Sequence, residues 1–382
     1  MDYAATTPVD PRVREAMEPY WSVKFGNPSS IHSFGQEASE AVEEARKSVS
    51  TLIGADPSEI VFTGGGTESD NTAIKGVCHA LREKGNHIIT TAIEHHAVLY
   101  TCEFMASQGF EVTFLPVDKD GIVDPSHIKK AITKKTILIS VMHANNEVGT
   151  VQPISEMGSI AKERSVLFHT DAVQTFGHLK IDVEKMGIDL LSLSAHKLYG
   201  PKGTGALYIR KGTPIVPYMH GGAQERGMRA STHNVAGIVG LGKAAEIADE
   251  EMEAEQERIQ NLRNRLLDNI HQKIEGIHLN GHRHKRLPNN LNISFENVEG
   301  EAILMNLDLE GIAASSGSAC SSGSTEPSHV LLALGLSPEL ARGSLRLTLG
   351  KFTTEEEIDR VADVLARTLN HLRSLSPFGK EA

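Results

Sequence analysis

Between residues 59 and 209 the hydrophobic period of the chain changes repeatedly. Short apolar runs of strand character lie at 59–63, 87–92, 111–117, 136–142, 166–169, 190–194 and 206–209. Segments with apolar residues at helical spacing separate them, at 71–84, 98–108, 125–132, 154–163 and 182–186. Strand and helix alternating over this length predict an α/β fold with a mainly parallel sheet flanked by helices. Beyond about residue 250 the pattern shifts. A long charged helix is expected over 244–272, strands over 291–295, 312–315 and 344–349, and a terminal helix over 354–372. These belong to a smaller α+β domain. The expected division is a large domain over 12–250, with 1–11 and 251–382 forming the small one. Residues 2–35 are rich in turn formers around a short helix at 12–20. They carry Tyr3, Tyr20, Trp21, Phe25 and Phe34, and read as an arm packed across a surface or a cleft. An amphipathic helix follows over 37–52.

Composition narrows the function classes. The net charge is -11 over 382 residues and no long basic run stands out, which argues against nucleic acid as a partner. No apolar run approaches the ~20 residues that span a bilayer, and the first residues lack the pattern of a secretory signal. Three cysteines, Cys78, Cys102 and Cys320, fit a reducing cytoplasmic setting better than a disulfide framework. None is spaced as CxxC, so no metal site is expected from this chain alone. Cys78 and Cys102 have helical apolar neighbours and read as core. Cys320 lies in SSGSACSSGS (315–324), a run of small residues with no apolar periodicity. Such a loop places a thiol at a surface or over a cleft, where a stabilised thiolate is a nucleophile.

The chemistry gathers where strands end, the edge at which open α/β sheets keep their ligands. In DLLSLSAHKLYGPKG (189–203) an apolar strand gives way to Ser194, His196 and Lys197. A lysine at the mouth of an apolar cleft loses its proton more readily and attacks carbonyls. Gly64-Gly65-Gly66-Thr67 follows another strand and opens a helix, offering amides and a hydroxyl to a phosphate. It is neither a GK[ST]-type phosphate loop nor a dinucleotide fingerprint. Asp171, with Gln174 one turn on, follows the 166–169 strand. His95 and Asn146 lie just past two others. Each alone reads first as a cap or a turn. Together they supply a phosphate cradle, an acid for a ring nitrogen, a flat imidazole and an amine nucleophile, the requirements of pyridoxal phosphate. Arg346 alternates with leucines in SLRLTL (344–349), and a guanidinium on a half-buried strand calls for a carboxylate. An internal salt bridge is the other reading.

The stretches GGGTESDN, EHHAVL, HANNEVGT, DAVQ, SAHKLYGPKGTGALY, HGGAQERGMRAST and SSGSACSS, from residue 2 to about 377, resemble the cysteine desulfurases of the NifS/IscS kind. These are fold-type-I pyridoxal 5'-phosphate enzymes of the class V aminotransferase group. The resemblance implies that Lys197 carries the cofactor and later moves protons. It implies that Asp171 pairs with the ring nitrogen, Gln174 with the ring hydroxyl, and that His95 stacks on the ring. Gly66, Thr67, Ser194 and His196 would hold the phosphate, Thr232 would be lent across a homodimer interface, and Asn146 with Arg346 would grip the substrate carboxylate. Cys320 would take sulfur from L-cysteine, releasing L-alanine, and pass the persulfide to an acceptor such as an iron–sulfur scaffold protein of the IscU/NifU kind. A transient [2Fe-2S] ligand role for Cys320, shared with that scaffold, is included. The competing readings are a selenocysteine lyase, a different class V transaminase, and an assembly platform without turnover. The His-rich basic turn at 281–286 reads as solvated rather than metal-binding.

Overall fold

The computed structural model describes residues 1–316 and 326–375. Cys320 lies outside the described residues. Seven strands form the main sheet: β1 (Ile60–Thr63), β2 (His87–Thr91), β3 (Glu111–Leu115), β4 (Thr136–Ser140), β5 (Leu167–Asp171), β6 (Leu190–Ser194) and β7 (Gly205–Ile209). Their order is β1-β7-β6-β5-β4-β2-β3. From β3 through β6 all neighbours run parallel, whereas β7 is antiparallel to both β6 and β1. The reversal has a local cause. A parallel return needs a crossover of a dozen or more residues, usually a helix. The connection from β6 to β7 holds only a 3-10 turn over Ala195–Lys197, so the chain doubles back beside the strand it has just left. That short connection is the segment carrying Lys197.

A second sheet, β8 (Ile277–Leu279), β9 (Asn290–Phe295) and β10 (Ser344–Thr348), is antiparallel in the order β10-β9-β8. Each sheet has its own buried core. Ile89, Ile139, Phe168 and Leu191 lie in the first, and Ile293, Leu345 and Leu365 in the second. One helix, Val235–Lys273, serves both, through Ile238 and Leu241 near its start and Leu262 and Leu266 near its end.

That helix begins nine residues before the sequence-based start at 244. Glycines at 237, 240 and 242 lower the intrinsic helix preference there, but packing requires them. A Cβ at Gly242 would lie 2.5 Å from the Ala45 backbone, and one at Gly240 would lie 2.6 Å from the Met17 sulfur. Residues 182–186 form a turn rather than the expected helix. Asp182 accepts from the Lys185 amide, and the turn stops at Gly187, whose φ is 66°. The 312–315 stretch contributes only an isolated bridge, Ser315 to Arg346, in place of a strand.

The N-terminal arm crosses between the two sheets. Asp2 bridges in parallel to Thr348 of β10. The Ala4 amide donates to Thr348 Oγ1 at 2.9 Å, and the Thr7 amide donates to the His196 carbonyl at 3.0 Å.

Candidate active site

Five strand ends deliver side chains to one cavity of about 320 Å³ at the carboxyl edge of the main sheet. Lys197, Asp171, His95, Asn146, Gln174 and Arg346 all line it. Gly66, Thr67, Ser194 and His196 line both this cavity and the larger, more open one beside it. Thr232 lines neither and is exposed.

Lys197 ends the 3-10 turn after β6. Its Nζ donates to the Ala4 carbonyl at 2.5 Å and the Ala5 carbonyl at 2.7 Å, so the arm covers the amine. From behind, His178 Nε2 donates to the Lys197 carbonyl at 2.8 Å, which fixes the backbone of the turn. Tyr199, two residues on, has a φ of 59°. That left-handed backbone is costly for a bulky residue and persists because its amide, carbonyl and hydroxyl are all engaged.

Asp171 ends β5 and accepts from the Val173 amide at 2.9 Å. Burial pushes its carboxyl up to about 6, with that hydrogen bond opposing. Beneath it lies Asp70, which the sequence reading passed over. Burial first, and the Asp171 charge second, hold the Asp70 carboxyl well above the usual carboxylate range. Its Oδ1 has no hydrogen-bond partner. Asp70 falls four residues after Gly66 in the helix Gly66–Ala80, and both face the cavity; that i, i+4 spacing was the available signal. His169 Nε2 lies 3.6 Å from Asp70 Oδ1. This is not an ion pair, because burial lowers the imidazole to about 3 and leaves it neutral.

The residues expected to cradle a phosphate lie around the start of the helix Gly66–Ala80. Gly65 caps it with no side-chain hydrogen bond, leaving first-turn amides for a ligand. Gly65 has a φ of 146°, and a Cβ on Gly66 would lie 2.6 Å from Val173 Cγ2, so neither position accepts a larger residue without a shift. His196 Nδ1 lies 3.1 Å from Thr6 Oγ1. Burial, then the Lys197 charge, lowers its imidazole to about 4.

His95 caps the helix His96–Ser107 by accepting from the Ala97 amide at 3.1 Å. Burial and the neighbouring His96 and Lys197 lower it to about 4, so it is neutral at physiological pH. Arg346 is 2% exposed. It donates to the Asn146 carbonyl and to Asp2 Oδ1, each at 3.0 Å, while its buried Nε has no partner. The internal salt bridge therefore exists, on a guanidinium that also lines the cavity.

The residues fit pyridoxal phosphate. A helix start without a side-chain cap suits its phosphate, a buried carboxyl pair suits its ring nitrogen, and the Lys197 amine sits on a rigid turn beside them.

Glu94 is a further buried acid, next in sequence to His95 of the cavity. It accepts from Thr91 Oγ1 at 2.6 Å and from the Met142 amide at 3.1 Å, and burial pushes it up to about 8. Its proton stays on in the folded chain between pH 4.5 and 8, where the unfolded chain has released it. The stabilisation it contributes is present below 4.5 and is lost as pH rises to 8. We expect the apoprotein to lose stability relative to Glu94→Gln by about 1 kcal/mol per pH unit across that window. Thermal melts of both proteins in matched buffers check this, and parallel curves contradict it.

The sequence profile of the family described as aminotransferase class-V matches residues 1–361. A protein named cysteine desulfurase IscS from Dictyoglomus turgidum is 58% identical over 381 residues, spanning 100% of this chain and 97% of that relative. A solved structure titled NifS-like protein superposes with a TM-score of 0.92 at 42% identity, covering 97% of this chain and 99% of its own. Another, titled SspA in complex with cysteine, has a TM-score of 0.82 at 41% identity, covering 92% and 99%. The chain belongs to the class V aminotransferase family and, within it, to the pyridoxal-phosphate-dependent cysteine desulfurases.

Proposed function

We propose that this cysteine desulfurase draws sulfur from L-cysteine in the cavity floored by Lys197 and Asp171 and hands it to Cys320. The convergence of five strand ends on that one cavity carries the reading. Bound there, pyridoxal phosphate supplies an electron sink that weakens bonds to the substrate's α- and β-carbons. Gly66, Thr67, Ser194 and His196 hold its phosphate, Asp171 its ring nitrogen and Gln174 its ring hydroxyl. Neutral His95 packs on the ring and accepts a proton. Lys197 carries the cofactor and then moves protons at the substrate carbon. Arg346, with Asn146, takes the substrate carboxylate. In the net step a sulfur–sulfur bond forms at Cys320 as the carbon–sulfur bond of the substrate breaks. Cys320-SH and cysteine become Cys320-S-SH and alanine, with no outside oxidant or reductant.

Anchors on both sides of residues 317–325 support the role of Cys320. Ser315 Oγ donates to Asp2 Oδ2 at 2.9 Å, beside Arg346. Ser328 Oγ donates to Glu147 Oε2 at 2.5 Å, next to Asn146. The residues flanking that segment are thereby held near Arg346 and Asn146, which line the cavity. A homodimer is part of the proposal. Trp21, Val23, Phe25, Ile31 and Phe34 are exposed along one segment, Ile31 to 92%, which suits contact with a second copy. Thr232, exposed and away from its own cavity, fits a residue lent to that copy's site. The persulfide then goes to a sulfur acceptor, for which an iron–sulfur scaffold protein is our proposal, with Cys320 a transient cluster ligand in that complex. Among the described residues no helix is long and apolar enough to cross a membrane, and we place the reaction in the cytoplasm.

The test is alanine and sulfide release from L-cysteine set against selenocysteine. Turnover of L-cysteine supports the reading, and turnover of selenocysteine alone contradicts it. Arg346→Lys should raise KM about 10- to 100-fold with a smaller effect on kcat, since one charge-assisted hydrogen bond to the carboxylate is lost. Steady-state kinetics with L-cysteine checks this.

A further inference from the structure

The turn at 281–286 is only partly solvated. Arg283, His284 and Lys285 are exposed, but Arg286 turns inward and is 7% exposed. It lines a polar cavity of about 370 Å³ between the turn and the helix Val235–Lys273. Arg263 of that helix, 6% exposed, lines the same cavity. Arg263 spends its donors on the Leu287 carbonyl at 3.0 Å and Asn264 Oδ1 at 2.8 Å. Arg286 Nη2 donates to the Val148 carbonyl at 2.7 Å and the Asn280 carbonyl at 3.1 Å, while its Nε and Nη1 have no partner.

Two buried guanidiniums thus face one cavity, and their hydrogen bonds among the described residues go to neutral oxygens. Burial and then the Arg263 charge both press against the charged form of Arg286. Arginine does not relieve such pressure by losing its proton. Uncompensated buried charge is costly, and buried donors left unmade are costly too. Among the described residues, Asp268 is the one carboxylate lining the cavity, and it is exposed. A planar fork with two idle donors matches an oxyanion.

We propose that this cavity is an anion site, in which Arg263 and Arg286 bind a small tetrahedral oxyanion, either inorganic phosphate or the phosphate of a monoester. Arg283 and His284 line its mouth, where the Arg283 guanidinium adds positive field. The ligand completes Arg286, whose other hand holds Val148, two residues from Asn146 of the active cavity.

The test uses the holoenzyme, whose cofactor already fills the phosphate cradle. Inorganic phosphate is titrated by calorimetry at constant ionic strength set with sodium chloride. One saturable site with a dissociation constant between about 1 µM and 1 mM is expected. Binding should be lost in Arg286→Met, weaken several-fold in Arg283→Ser and tighten in Asp268→Asn. Arg286→Met strands two carbonyls; if it fails to fold, the two surface variants decide, and unchanged affinity in both overturns the proposal. No saturable binding to wild type overturns it as well, as does binding of succinate in place of phosphate. Glycerol phosphate separates the sources: affinity equal to phosphate indicates a monoester, and exclusion indicates the free anion.

Discussion

Lys197→Ala should reduce alanine formation from L-cysteine by at least about a thousandfold, the scale of losing both an acid–base group and a covalent attachment. The substitution leaves the fold in place. Lys197 is half-buried at the end of a turn whose backbone is held by His178 and by Thr7 on Tyr199, not by its own side chain. The Ala4 and Ala5 carbonyls lose a donor but lie at an open cavity, where water replaces it. The melting temperature is therefore expected to stay close to wild type while activity disappears. Added amines should not restore the native rate, because a free amine lacks the fixed approach that the turn provides. Measured activity within tenfold of wild type would remove Lys197 from the chemistry.

Cys320→Ser should abolish protein persulfide while leaving cofactor binding intact. Serine is nearly isosteric, but its hydroxyl is far less acidic than a thiol and is a poor acceptor of sulfur. The other cysteines cannot substitute. Cys78 and Cys102 are fully buried in the core of the main sheet, and burial pushes the Cys78 thiol up to about 12 and Cys102 upward as well. At neutral pH neither supplies thiolate. Mass spectrometry after incubation with L-cysteine should find the extra sulfur on the Cys320 peptide of wild type and on no peptide of the variant. Persulfide formed by Cys320→Ser at the native rate would contradict the assignment.

The sheet was legible because parallel strands buried on both faces read as continuous apolar runs, and helices between them change the period. The antiparallel β7 was not, since its direction depends on the length of the turn before it. β8 escaped notice because Ile277–Leu279 is too short to show alternation. At the site, residues just past apolar runs stood out: Lys197, Asp171, His95 and Asn146. Asp70 and Glu94 did not, since each sits in a polar motif where a carboxylate looks ordinary and only tertiary burial reveals it. Arg286 was hidden for the same reason. A basic turn reads as solvated until the fold shows one member facing inward.

In the proposed reaction the amine on the turn after β6 is the one that carries the cofactor. Reducing the holoenzyme with borohydride, digesting it and mapping the pyridoxyl label tests this most directly. The label is expected on the peptide containing Lys197 and nowhere else. A label on Lys202, which lines the neighbouring open cavity, or on Lys351, which lines a separate apolar one, would contradict it.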